Sequence, residues 1–210
     1  MNNFQLSLRS FVIGQQRVAL FVPDAAAVKN AYEKGFVSFP YWSKVWPAAI
    51  ALSEFIEEHS HYMQNKTVME LGAGLGLPSL LAARYAHHVV CTDHSEEAVK
   101  TLAKSAAHLN LRNFESAVVD WQRLPANLRT DVLLLSDINY EPESFATLKN
   151  IVNAFLDQDS VVLLSTPQRL MAKAFVAPFS GAIVQSKEYA VKEGTGKTNV
   201  SVLVLKKKRN

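Results

Sequence analysis

The run Val68-Met69-Glu70-Leu71-Gly72-Ala73-Gly74-Leu75-Gly76-Leu77-Pro78 places three glycines at alternate positions between an apolar stretch that ends on a carboxylate and a segment that opens on proline. Glycine has no Cβ and tolerates positive φ, so such a loop lets a ligand lie against the backbone itself. Its amides also fall near a helix N-terminus, where polar and negative groups are stabilised. Polar or acidic residues close three later apolar runs: Asp93, then Asp120-Trp121, then Ser136-Asp137 followed by Ile138-Asn139-Tyr140. In an open α/β sheet, ligands bind beyond the carboxyl ends of the strands, so these groups could converge on one molecule.

Two nucleotide motifs fit the glycines poorly. A dinucleotide fingerprint reads G-x-G-x-x-G. Gly72 and Gly74 supply its first half, but the third glycine, Gly76, comes one residue early and Leu77 takes the required place. An acidic residue about 20 positions on, here Asp93, could hold ribose hydroxyls in either case. It could instead cap the segment that begins at Ser95 with acids in its first turn. A P-loop is excluded, because no Lys-Ser/Thr pair follows these glycines. Gly196-Lys197-Thr198 lies in a late turn without the earlier glycine that the motif needs. The six histidines and the lone cysteine, Cys91, show no metal-ligand spacing, and no metal is expected.

The elements that must position these residues follow from periodicity. Phe4, Leu6 and Leu8 alternate with polar neighbours, Gly14-Gln15-Gln16 makes a turn, and residues 18–22 return as a second strand. A helix over 25–34 is closed by Gly35, and an aromatic loop spans 36–46. Pro47 opens another helix, whose apolar face carries Ile50, Leu52, Phe55 and Ile56. From residue 67, strands (67–71, 89–92, 117–119, 131–136, 160–165) alternate with helices (77–86, 95–109, 142–156, 168–179). Short, uniformly apolar strands alternating with helices predict right-handed βαβ units in a parallel sheet covered on both faces. Residues 183–191 and 200–205 have no helix between them and must form an antiparallel hairpin. The expected fold class is α/β: a Rossmann-like, seven-stranded, mostly parallel sheet with an antiparallel C-terminal hairpin and helices on both faces. An N-terminal β-hairpin and helices precede it. The expected organisation is a single domain over 1–210, with an N-terminal hairpin and helical segment over 1–64 and a catalytic core over 65–210.

Bulk composition excludes several classes. Lys and Arg total 22 against 19 for Asp and Glu, a formal charge of +3 that offers no broad phosphate-binding stripe, so nucleic acid is not the expected partner. One cysteine forbids an internal disulfide, and its apolar surroundings make it a buried, inert thiol. Residues 1–11 lack the apolar block of a secretory signal, and no run is long enough for a membrane span. The expected setting is cytoplasmic, as a monomer or small homo-oligomer.

Glu70-Leu71-Gly72-Ala73-Gly74-Leu75-Gly76 resembles motif I of the class I, seven-β-strand S-adenosylmethionine-dependent methyltransferases, and the closing antiparallel hairpin fits that class. Three further stretches resemble the lysine methyltransferase family known as methyltransferase family 16. They are Pro40-Tyr41-Trp42-Ser43-Lys44-Val45-Trp46-Pro47-Ala48-Ala49, Asp120-Trp121, and Asp137-Ile138-Asn139-Tyr140, the last matching a D-x-x-Y signature. The resemblance covers residues 36–170. It implies S-adenosyl-L-methionine as cofactor and a role for each residue. Gly72, Gly74 and Gly76 would admit the methionine part, with Glu70 orienting the loop. Asp93 would accept from the ribose hydroxyls, Asp120 would meet the adenine amine, and Trp121 would flank the ring. Trp46 would pack beside the cofactor. Ser136 and Asp137 would lie near the transferred methyl, with Asp137 and Tyr140 as the catalytic pair and Tyr140 on the substrate side. A flat base, a diol and a charged amino acid end suit aromatic, acidic and glycine-backbone groups in that order.

The expected reaction is methyl transfer to a lysine amine of a protein substrate. Two alternatives share the same core: N-methylation of a small pyridine-type or other amine, and a non-catalytic cofactor-binding partner subunit. Base methylation usually carries a D/N-P-P-Y/F signature, and both prolines are absent from 137–140.

Overall fold

The computed structural model describes residues 4–35, 40–125, 128–139, 141–168 and 170–208, with the side chains of 170 and 171 left aside. Strands β1 (Leu6–Ile13) and β2 (Gln16–Pro23) pair as an antiparallel hairpin that is a sheet of its own. Asp24 caps helix α1 (Ala25–Glu33), its Oδ1 accepting from Ala27 N at 2.8 Å. Helix α2 (Pro47–Glu58) opens on the proline that sequence places there.

The rest alternates as expected: β3 (Thr67–Leu71), α3 (Leu77–Ala82), β4 (His88–Asp93), α4 (Glu96–His108), β5 (Phe114–Val118), β6 (Val132–Ser136), α5 (Phe145–Asp157), β7 (Val161–Pro167), α6 (Leu170–Val176), β8 (Ile183–Glu193) and β9 (Gly196–Leu205). These seven strands lie in the order β5-β4-β3-β6-β7-β9-β8. The first five are parallel, β9 runs antiparallel to β7, and β8 runs antiparallel to β9.

Both sheet faces are covered, which is why the strands read as continuous apolar runs. Val68, Leu134 and Leu163 pack with Leu52 and Phe55 of α2 on one face. Met69, Leu133, Leu135, Val162 and Leu164 pack with Leu148, Val152 and Phe155 of α5 on the other. The alternation along β6 is the two-residue period of a strand sharing its side chains between two layers. The hairpin joins the first layer through the fully buried Val18 and Leu20 of β2. Phe21 N donates to Ser105 Oγ of α4 at 3.0 Å, tying the hairpin to the helix that follows β4.

Several boundaries differ from the sequence reading, among them the starts of α5 at Phe145 and of β9 at Gly196, and two more have a local cause. Strand β5 starts at Phe114, where it pairs with Val89 of β4, before the expected 117; Glu115 and its half-exposed neighbours at this sheet edge lack the apolar run that marks the other strands. Helix α3 stops at Ala82, short of the expected 86, although Ala83, Arg84, Tyr85 and Ala86 contain no helix breaker. Asn113 holds the turn that replaces the helix, its Nδ2 donating to the carbonyls of Ala83 and Ala86 at 2.9 Å each.

Candidate active site

Strand β3 pairs with β4 on one side and β6 on the other, and the chain moves outward in opposite directions from this pair. Such a switch point leaves a crevice beyond the strand ends. A cavity of about 180 Å³ lies there, lined by the glycine loop Gly72 to Leu77, by Asp93 and His94, by Trp121, by Ser136, Asp137 and Ile138, and by Tyr41, Trp42, Lys44, Val45, Trp46 and Ala49. It adjoins an open cleft of about 680 Å³ bordered by Val119, Asp120, Trp121, Gln122, Glu141 and Ser144.

The aromatic segment is seated on the glycine loop. A Cβ added at Gly74 would stand 3.3 Å from the Trp42 carbonyl oxygen and 3.4 Å from its Cα, so only a bare backbone admits this strap. Residues Tyr41–Ser43 form a 3₁₀ turn, and Trp46 Nε1 donates to Tyr41 O at 2.7 Å, closing the strap on itself. Lys44 Nζ sits 4.0 Å from the centre of the Trp46 ring and 2.9 Å from Glu193 Oε1 at the end of β8. Across the loop, the Trp121 ring occupies the space that a side chain at Gly72 would fill, with Cζ3 2.8 Å from the virtual Cβ.

Glu70 does not line the cavity. It is fully buried beneath the loop, where Oε2 accepts from Ser79 N and Ser79 Oγ of α3 and lies 4.0 Å from Cys91 Sγ. Burial pushes its carboxyl up to about 8, against the lowering effect of the Ser79 bonds and with a further push from Asp93. The carboxyl is therefore protonated at neutral pH and acts as a brace between β3 and α3. Its folded pKa exceeds its unfolded one, so its contribution is full in acid and is lost as pH rises toward 8. We expect the wild-type midpoint of thermal unfolding to drop by about 5 to 10 °C between pH 6 and pH 9 relative to Glu70→Gln. Parallel Tm curves for the two proteins would refute the brace.

Asp93 is nearly buried, and both its oxygens already hold backbone amides. Oδ2 accepts from Gly74 N and Oδ1 from Ser95 N, each at 2.9 Å. It thus fastens the glycine loop to the start of α4, whose N-cap is Ser95. A carboxylate has about four lone-pair directions, so it keeps acceptor capacity toward the cavity. Asp120 is exposed and caps a 3₁₀ turn, accepting from Gln122 N at 2.9 Å, and it borders only the open cleft.

Asp137 follows β6 with φ +50°, a left-handed conformation that few residues besides glycine adopt. Its N–H donates to Ser165 O of β7 at 2.9 Å. Aspartate and asparagine tolerate this region best after glycine, and Asn65, Asn110 and Asp159 share it; Asp137 is the one of the four that lines the cavity. Tyr140 lies outside the described residues. The structure thus brings Trp46, Gly72, Gly74, Gly76, Asp93, Trp121, Ser136 and Asp137 around one cavity, sets Asp120 in the adjoining cleft, and puts Glu70 behind the wall.

Several lining residues had no sequence role. Tyr41, Trp42 and Lys44 sit in the aromatic stretch already singled out, so their proximity to Trp46 was the available signal. His94 follows Asp93 directly and is largely exposed at the rim. Asn139 is 4% exposed, and neither amide atom has a hydrogen-bond partner; the same holds for Ser165 Oγ. Neither residue is among those that line the cavity or the cleft, so these orphans mark no contact with its contents. No cluster of potential metal ligands occurs among the described residues.

Strand order, switch-point crevice and glycine loop together define a seven-stranded methyltransferase fold. Structural comparison agrees. The chain is similar to the Thermus thermophilus 16S rRNA N2 G1207 methyltransferase RsmC, solved with AdoMet and guanosine, with a TM-score of 0.67 and 19% identity over 97% of this chain and 51% of that one. The lysine methyltransferase family profile matches residues 41–179, and the chain belongs to that family. It is 31% identical to the human histone-arginine methyltransferase METTL23 over 107 residues, 48% of this chain and 56% of that protein. It is also 31% identical to the Xenopus tropicalis protein N-lysine methyltransferase METTL21A over 135 residues, 60% of each. The chain spans about half the length of the METTL23 proteins it matches.

Proposed function

We propose that this chain is an S-adenosylmethionine-dependent methyltransferase acting on a lysine side chain of a protein. The observation that carries the reading is the cavity itself. A bare backbone loop and two tryptophans form one side, and the left-handed Asp137 stands at the end of the neighbouring strand. When bound, S-adenosylmethionine supplies an electrophilic methyl group and a neutral thioether as leaving group. The residues must then bind, align and exclude water.

Role by role, Gly72 and Gly74 leave room for the amino acid end against a backbone without Cβ atoms, and Asp93, which already holds the Gly74 amide, offers its remaining acceptor positions to the ribose. Trp121 and Asp120 flank the route into the cleft, where a base fits, while Trp46 shields the methyl side. A free lysine has a pKa of about 10.4 and arrives as an ammonium. The Asp137 carboxylate accepts a hydrogen bond from that ammonium and fixes its nitrogen. Apolar walls from Ile138 and Trp46 then favour proton loss to solvent, which frees the lone pair that forms the new N–C bond. Asp93, Asp120, Asp137 and Glu141 outnumber Lys44, the one lysine or arginine among the described lining residues, so the field favours a cationic acceptor. Tyr140 completes the acceptor side. The chain acts in the cytoplasm as a monomer or small homo-oligomer.

The test is transfer of a labelled methyl group from S-adenosylmethionine into a lysate, followed by acid hydrolysis and amino acid separation. Label in methyl-lysine is the expected result. Label in methyl-arginine or methyl-histidine would reassign the acceptor, and label confined to small molecules would overturn the protein-substrate reading. Among the described residues, no helix is long and apolar enough to cross a membrane.

A further inference from the structure

Lys44 combines three properties that the reaction as derived leaves unused. It lines the cavity, and it is the only lysine or arginine among the described residues that do so. It belongs to the strap whose Trp42 backbone rests on Gly74, and both the strap and the glycine loop line the same cavity. Its side chain is also fixed rather than free, between the Trp46 ring at 4.0 Å and Glu193 Oε1 at 2.9 Å, while remaining about half exposed at 48%. A cation stacked on an aromatic face keeps its charge and can exchange one carboxylate partner for another.

A ligand whose amino acid end is zwitterionic needs both signs of charge nearby. Asp93 and Asp137 supply the negative side of the described lining. On the positive side, Lys44 is the one lysine or arginine of the described lining. We propose that Lys44 is the counter-charge for the α-carboxylate of the cofactor, which it takes in exchange for Glu193, its carboxylate partner in the absence of ligand. The inference rests on the proposed use of S-adenosylmethionine and adds to it a residue that selects for the amino acid end.

Two nucleosides separate the parts. S-Adenosylhomocysteine carries the carboxylate, whereas 5′-methylthioadenosine keeps the base, ribose and thioether but lacks the amino acid end. Both are titrated into the full chain by calorimetry, with fluorescence of Trp42, Trp46 and Trp121 as a second readout, since all three tryptophans line the cavity. Lys44→Met is expected to weaken S-adenosylhomocysteine by about tenfold or more, the scale of a lost charge-assisted bond, and to leave 5′-methylthioadenosine within about twofold. Retained binding of the second ligand also reports a folded site. Glu193→Gln releases Lys44 and should leave S-adenosylhomocysteine affinity unchanged or raised. Equal losses for both ligands in Lys44→Met would overturn the assignment, because the lysine would then only brace the strap. A Glu193→Gln loss matching that of Lys44→Met would overturn it on the same ground. If the wild-type chain binds neither nucleoside, the cofactor reading itself fails and this inference falls with it.

Discussion

Asp137→Asn is expected to lower methyl transfer by about a thousandfold while S-adenosylhomocysteine binds within about threefold of wild type. Asparagine is the informative replacement because of the backbone. Position 137 sits at φ +50°, and asparagine shares with aspartate a tolerance of left-handed geometry that alanine lacks. The amide is also close in size, and the 2.9 Å bond from the residue 137 N–H to Ser165 O is independent of the side chain. What changes is the charge that receives an ammonium. Asp93 and the glycine loop, which carry the cofactor side in the proposed reading, stay untouched. Single-turnover rates with saturating cofactor and calorimetry with S-adenosylhomocysteine check the two halves. Turnover within tenfold of wild type would remove Asp137 from the chemistry. Parallel loss of binding and turnover would make it a cofactor residue instead.

The site was legible in sequence where its residues close strands. Short apolar runs closed by Glu70, Asp93, Asp120 and Asp137 carry both the fold and the switch-point logic, most clearly in the central strands buried on both faces. What sequence could not separate was which carboxylates face the cavity. Glu70 and Asp93 both end or follow an apolar strand, yet one side chain turns under the loop to Ser79 and the other turns up to Gly74 N. That choice depends on strand pleat and on the helix packed behind, neither of which a motif encodes. Lys44 was hidden for another reason. Its partner Glu193 is 149 positions away, on a hairpin whose position against the strap is set by the order of the sheet. Strand β5 was short in the reading because an edge strand shares its faces with solvent and loses the apolar signature.

The glycines also divide in a way that alternation alone does not show, and this gives the largest expected effect on stability. Gly76→Ala should destabilise the fold by about 2 to 5 kcal/mol, whereas in the proposed reading the loop meets its ligand through Gly72 and Gly74. Gly76 is the N-cap of α3 at φ +67°, where any L side chain pays for the left-handed backbone. A Cβ there would overlap Leu102 Cδ2 of α4 and stand 3.1 Å from Cys91 Sγ, and both residues are fully buried. Leu102 can retreat only into a filled layer, since Ala98 and Ala106 of the same helix are also buried. A loss of that size lowers Tm by about 5 to 15 °C in a domain of this length. Gly74→Ala meets the strap backbone instead, at 3.3 Å from Trp42 O, so its cost falls on the cavity wall rather than on the core. The two variants should therefore separate. Gly76→Ala is expected to unfold early but, where folded at low temperature, to bind S-adenosylhomocysteine within about tenfold of wild type. Gly74→Ala should keep most of its Tm and lose more affinity than Gly76→Ala. Thermal melts with titrations at 10 °C decide it, and equal Tm losses in the two variants would show that the third glycine has no separate role in packing β4 against α4.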